Sequence, residues 1–190
     1  GVRAVACVTM SDMATGDTLP SDAVLAAELA QLGLPFVTST AEDRLTQVVS
    51  LGSLITGLSS SKEARLRLSL IPLFVVHPEY ARFVPEVVDR LIGQAQITLI
   101  CCYTAALLLK RKYAQRLAQL GLSWAELPHL FGDYLGLPLS GEVDADVLLL
   151  RLAERQAQMS GRSLNWYGTY EHAVDRLIRR KELEAVWAKS

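Results

Sequence analysis

Hydrophobic residues recur along the chain three and four apart, and short clusters of Gly, Ser, Pro and Asp separate the runs. The most pronounced run is "QITLICCYTAALLLKRKYAQR", residues 96–116, which is uncharged from Ile97 to Leu109 before Lys110, Arg111 and Lys112. A helix needs about twenty apolar residues to cross the hydrocarbon of a bilayer, so this run is too short. Cys101, Cys102, Tyr103 and Thr104 also make its centre less lipid-like. Beyond the basic triplet, Leu109, Tyr113, Leu117 and Leu120 continue at helical spacing up to Gly121. The pattern predicts one helix over 95–120, enclosed by protein in its first half, amphipathic in its second and ended by the glycine.

The same reading predicts helix after helix elsewhere. Ser21 and Asp22 can cap "AVLAAELAQLG", which Gly33 and Pro35 end. Ser39 and Glu42 have capping-box spacing ahead of "DRLTQVVSLGSLITGL", where Leu45, Val48, Val49 and Ile55 form one apolar stripe. Ser60 with Glu63 and Ser123 with Glu126 repeat the box, opening "ARLRLSLIPLFVVH" and "WAELPHLFGDYLG". Asp144 and Asp146 stand at the start of "DVLLLRLAERQAQM", with Arg151 and Arg155 toward its end and Gly161 breaking it. A last helix is predicted over 166–187.

No segment alternates Val, Ile, Thr and aromatic residues between hairpin turns. The fold class predicted is all-α, with about seven helices in a compact orthogonal bundle or a short stack of helical hairpins. A single helical domain spans 21–190 in this reading. Residues 1–20, which begin with Gly and include Met10 and Met13, read as a flexible or expression-derived arm. The stretch "EARLRLSLIPLFVVHPEYARFVPEVVDRLI" resembles a single HEAT-type helical pair, a resemblance of architecture that implies no function.

Composition sharpens this picture. A chain of 190 residues that is 51% hydrophobic can bury a substantial core, and a net charge of −1 supplies no global field for nucleic acid or acidic membranes. Three cysteines, an odd number with two adjacent, suit a reducing compartment and small buried side chains better than a disulfide framework. A cytoplasmic protein without a membrane partner is the expectation. No cofactor or metal is expected either: "ELPH", Glu126–His129, has E-x-x-H spacing, but Pro128 interrupts it and no second copy exists. Without G-x-S-x-G, Walker-type, G-x-G-x-x-G or H-E-x-x-H patterns, no catalytic residue can be named.

Two regions carry candidate chemistry. In residues 63–76 the helix is apolar nearly all round, yet contains Arg65 and Arg67, and Pro72 frees the Leu68 carbonyl, which predicts a kink. A buried guanidinium needs an acidic or carbonyl partner. With His77, which is expected to cap a helix C-terminus at the junction before Pro78, the two arginines outline a possible anion pocket. In the carboxyl-terminal region, His172, Arg176, Arg179 and Arg180 form a basic stripe opposite Val174, Leu177 and Ile178. Asp175 is placed to pair with Arg179, and Glu182 and Glu184 reduce the field. Just upstream, Arg162, Asn165, Trp166, Tyr167 and Tyr170 gather aromatic and donor groups around Gly161 and Gly168, a composition typical of binding hot spots.

The function expected is therefore that of a helical interaction protein. It would be an accessory, regulatory or antitoxin-like subunit without catalysis of its own, binding another protein or a second copy through this carboxyl-terminal surface. Nucleic-acid binding through Lys110, Arg111, Lys112 and Arg116, or through the 176–181 cluster, is the second expectation. An enzyme with a pocket between helices around Arg65 and Arg67 is the third.

Overall fold

The computed structural model describes residues 18–34, 49–123 and 125–188. Among these residues there is no strand, and the fold is all-α. Helix α1 (Asp22–Gln31) opens where the Ser21 hydroxyl accepts from the Val24 N–H, and closes at Gly33, whose φ of +77° only glycine adopts readily. Helix α2 (Leu51–Ser60) begins later than its apolar stripe predicts. Ser50 is extended, and its hydroxyl takes the Ser53 N–H at 3.1 Å, so the helix is capped there and starts at Leu51. The Ser39–Glu42 box lies outside the described residues, as does residue 1–17 of the expected arm.

The next segment shows the predicted kink as a complete break. Helices α3 (Ala64–Leu68) and α4 (Leu70–Val76) meet at Ser69, and Pro72 sits in the first turn of α4, where its missing N–H has no intrahelical partner to lose. The Ser60–Glu63 box does not form. Ser60 is the last residue of α2, while Ser61 accepts from the Glu63 N–H at 3.1 Å and donates to Asp22 at 2.8 Å, tying the start of α3 to that of α1. After Pro78 the chain winds as a 3₁₀ segment (Pro78–Phe83) before the two-turn α5 (Val84–Arg90), so the HEAT-type likeness stops at its first helix.

Helix α6 (Gly93–Lys112) is the axis of the molecule. Every residue from Thr98 to Lys110 is buried, as a helix with no polar face requires. It packs against α4 on one side and α9 (Ala145–Ser160) on the other, with α2 and α10 (Trp166–Trp187) completing the enclosure. Tyr103 lies edge-on to both Phe74 (centroids 5.1 Å apart) and Phe131 (5.6 Å), and donates to the Pro128 carbonyl at 2.8 Å. Among the described residues no buried side-chain nitrogen or oxygen lacks a hydrogen-bond partner.

The long helix predicted over 95–120 is divided at Tyr113, which has φ −104° and ψ 17° and separates α6 from α7 (Ala114–Gln119). The Ser123–Glu126 box does not open a helix. Ser123 accepts from the Ala125 N–H, and residues 125–130 run irregularly, burying Leu127 beside Phe131, ahead of the single-turn α8 (Gly132–Leu135). At the other end the local signals held: Asp144 caps α9 by accepting from the Asp146 N–H, Gly161 ends it with φ +65°, and α10 covers 166–187. Among the described residues no helix is long and apolar enough to cross a membrane.

Candidate cationic groove between α10 and α3–α4

Where α10 crosses α4, the two leave an open groove of about 680 Å³. One wall is the face of α10 carrying Asn165, Thr169, His172, Arg176 and Arg180; the other carries Arg65, Ser69 and Pro72. Leu34, Leu68, Ala173 and Leu177 supply apolar surface between them. The lip is largely committed within the fold. Asn165 caps α10 by accepting from the Gly168 N–H at 2.9 Å, the Thr169 hydroxyl donates to the Asn165 carbonyl, and the Ser69 hydroxyl donates to the Leu66 carbonyl. Arg180 pairs with Glu184 at 2.8 Å. Among the described residues no carboxylate pairs with Arg65 or Arg176.

The groove thus joins residues that the sequence suggested as two separate sites. Arg65 comes from the first, and Asn165, His172, Arg176 and Arg180 from the second. The remaining candidates are engaged elsewhere. Arg67 donates to the carbonyls of Ser61 (2.7 Å) and Lys62 (2.8 Å) beyond the end of α2, and His77 Nε2 donates to the Leu32 carbonyl at the end of α1 (3.1 Å) while Nδ1 faces Glu79. Of the expected anion pocket of Arg65, Arg67 and His77, Arg65 alone lines the groove, because Arg67 and His77 bond backbone carbonyls. Arg179 pairs with Asp175 at 2.9 Å, outside the groove.

Of the aromatic turn, Tyr170 is buried while Trp166 and Tyr167 are half-buried. Tyr170 is 0% exposed and donates to Gln156 in the core, which leaves it no surface for a partner. Trp166 is half-buried against the core and donates to the Arg162 carbonyl at 3.3 Å, and Tyr167 donates to Asp146 at 2.7 Å. Arg162 itself is exposed.

The cations of the basic triplet, and Arg116 after it, bond groups within the fold. Lys110 is only 8% exposed and donates to the Val75 and Ser123 carbonyls at 3.2 and 2.8 Å; burial lowers its pKa, with the Glu79 charge opposing. Arg111 donates to the Leu139 carbonyl and contacts His129, and Arg116 pairs with Glu182. Lys112 lies at the centre of a network that sequence spacing could not reveal. Its ammonium bonds Asp146 at the head of α9 (2.6 Å), Glu171 of α10 (2.7 Å) and the Tyr167 hydroxyl (3.2 Å), while Tyr113 donates to the second oxygen of Glu171. Burial works against the Lys112 charge, but these hydrogen bonds outweigh it and hold its pKa above the ordinary lysine range. Those from Lys112 and Tyr167 hold Asp146 below the ordinary aspartate range. Burial, then the bond to Glu171, pushes the Tyr113 hydroxyl up to about 12.

Among the described residues no cluster of His, Cys, Asp and Glu is arranged to hold a metal. Cys101 and Cys102 are buried free thiols; burial pushes Cys102 up to about 12 and Cys101 higher still. Comparison with known proteins finds no matching family model, no matching curated protein and no matching solved structure.

Proposed function

We propose that this protein is a non-catalytic helical interaction subunit, accessory or regulatory to another protein, and that it recognises its partner through the groove between α10 and α3–α4. The observation that carries this reading is the pair Arg65 and Arg176. Both open onto one groove with aliphatic surface, and among the described residues neither forms an ion pair with a carboxylate. In a fold that pairs Arg116, Arg179 and Arg180 with carboxylates and Arg67 with carbonyls, two uncommitted guanidiniums beside apolar surface suit an acidic partner.

An enzyme fits less well. The Ser69 and Thr169 hydroxyls on the lip donate to backbone carbonyls, and the described lining residues include no carboxylate or cysteine, so His172 has no nucleophile there to activate. Nucleic acid also fits less well, because those residues include no Phe, Tyr or Trp ring and leave His172 alone as a platform on which bases could stack.

The test is co-purification of the full chain from its native host, with a photo-crosslinking residue in place of Ala173. The expected result is a stoichiometric protein partner labelled from that position and lost from an Arg65→Glu/Arg176→Glu chain whose melting temperature is unchanged. Nuclease-sensitive material, a tightly held small molecule, or a partner that survives the double substitution would overturn the reading.

A further inference from the structure

We infer that the element seated in the groove is an amphipathic helix of the partner, carrying acidic residues in helical register along one edge of its apolar face. The inference rests on the reading of the groove as a protein-docking surface. His172, Arg176 and Arg180 follow one another at four-residue intervals on the α10 wall. At 1.5 Å per residue, neighbours lie about 6 Å apart along the axis and the stripe extends about 12 Å. Asp or Glu residues at i, i+4 and i+8 of a helix laid alongside repeat with the same pitch. A compact anion reaches one or two of these positions.

The apolar surface makes the second match. Leu34, Leu68, Pro72, Ala173 and Leu177 line the same space as the cations. A volume of about 680 Å³ takes in the apolar side chains of one helix face while the partner's backbone lies along the mouth. An extended peptide is the poorer occupant, because strand addition needs a free sheet edge and the described residues contain no strand. A helix brings its own backbone hydrogen bonds. It asks of the groove aliphatic surface and guanidinium charge, of which Arg65 and Arg176 are unpaired among the described residues while Arg180 shares its charge with Glu184.

Displayed libraries of about four-turn peptides, selected against the full chain, test this. The first fixes Glu at i, i+4 and i+8 beside randomised aliphatic positions; the second has the same composition with Glu out of register; the third has Lys in place of Glu. Enrichment is expected from the first alone. A selected peptide should bind at least about tenfold more weakly to Arg65→Glu/Arg176→Glu, and its Glu→Lys form should recover binding to that variant. Its affinity should also fall with added salt. Equal enrichment of in-register and out-of-register libraries would overturn the inference, as would tighter binding of a single-stranded oligonucleotide or of phosphatidylserine vesicles. If no library is enriched while the cross-link from position 173 still reports a stoichiometric partner, the helix is wrong and the docking surface stands. Loss of the cross-link removes both.

Discussion

Replacing Lys112 with Met keeps most of the aliphatic stem and deletes the charge that joins α6, α9 and α10. The ammonium makes contacts of 2.6 Å to Asp146 and 2.7 Å to Glu171, and lies over the Tyr113 and Tyr167 rings at 5.4 and 5.5 Å. Exposed ion pairs contribute about 0–1 kcal/mol each, whereas removing one partner of a buried pair costs about 3–5 kcal/mol. The Lys112 and Glu171 side chains are 23% and 20% exposed, and that of Asp146 is 49% exposed. One near-buried and one half-solvated pair place the expected loss between those limits, at about 2–3 kcal/mol. Part of it arises because Asp146 and Glu171 are left without the cation that separates them.

The sign of the pH dependence follows from the two shifts. Asp146 has a folded pKa below its ordinary value of 3.8, so its contribution is complete above that value and fades as pH falls through the lower folded one. Lys112 has a folded pKa above its ordinary 10.5, so its contribution is complete below that value and fades as pH rises beyond it. Urea unfolding of both chains across pH should therefore give a stability difference that is level between these limits and narrows on the acid side. A difference under about 0.5 kcal/mol at neutral pH, the scale of ordinary surface substitutions, would refute the network as a joint between helices. So would a difference that widens as pH falls below 3.8.

Leu108 is 0% exposed at the centre of α6, so Leu108→Asp should unfold the chain at ambient temperature, and Leu108→Ala should cost about 3–5 kcal/mol; an unchanged thermal melt for either contradicts the central position of this helix. Tyr170→Phe leaves the buried Gln156 amide oxygen without its donor and should cost about 1–3 kcal/mol in urea unfolding. The added substitution Gln156→Leu should recover part of that loss, and no recovery would mean that the hydroxyl is not what the core registers. Cys101 and Cys102 should resist thiol labelling at pH 8 in the folded chain and react together on unfolding, because burial suppresses both thiolates. Peptide-level mass spectrometry reads this directly, and rapid native labelling of either residue would place that face of α6 in contact with solvent.

Features set by a few neighbouring residues were legible in the sequence. Ser21 and Asp144 cap the helices they precede, and Gly33 and Gly161 end helices with the positive φ expected of them. The run over 97–109 is enclosed because nothing on it can face water. What misled was local spacing that tertiary packing overruled. Ser60 and Ser123 both stand three residues before a Glu, yet one completes α2 and the other begins a loop pinned by Leu127 and Phe131. The break at Tyr113 coincides with a hydroxyl contact to Glu171, far along the chain, and the Lys112 network depends on the same approach of α10. No periodicity within one segment encodes such a meeting.

The candidate site followed the same division. The sequence required partners for the cations on apolar helices, but could not say whether these would be carboxylates, a ligand or the backbone. A fold cut into many short helices has many C-terminal carbonyls that no intrahelical N–H reaches. Arg67 bonds the carbonyls just beyond α2, His77 the one just beyond α1, and Lys110 that of Val75 in the last turn of α4. Side chains spent on helix ends are structural, and they account for Arg67 and His77 of the expected anion pocket and for Lys110 of the basic triplet. Among the described residues Arg65 and Arg176 bond no such carbonyl, and they line one groove because α10 packs across α4. On the function proposed above, then, it is the lack of a partner among the described residues, rather than the density of positive charge, that sets Arg65 and Arg176 apart for recognition.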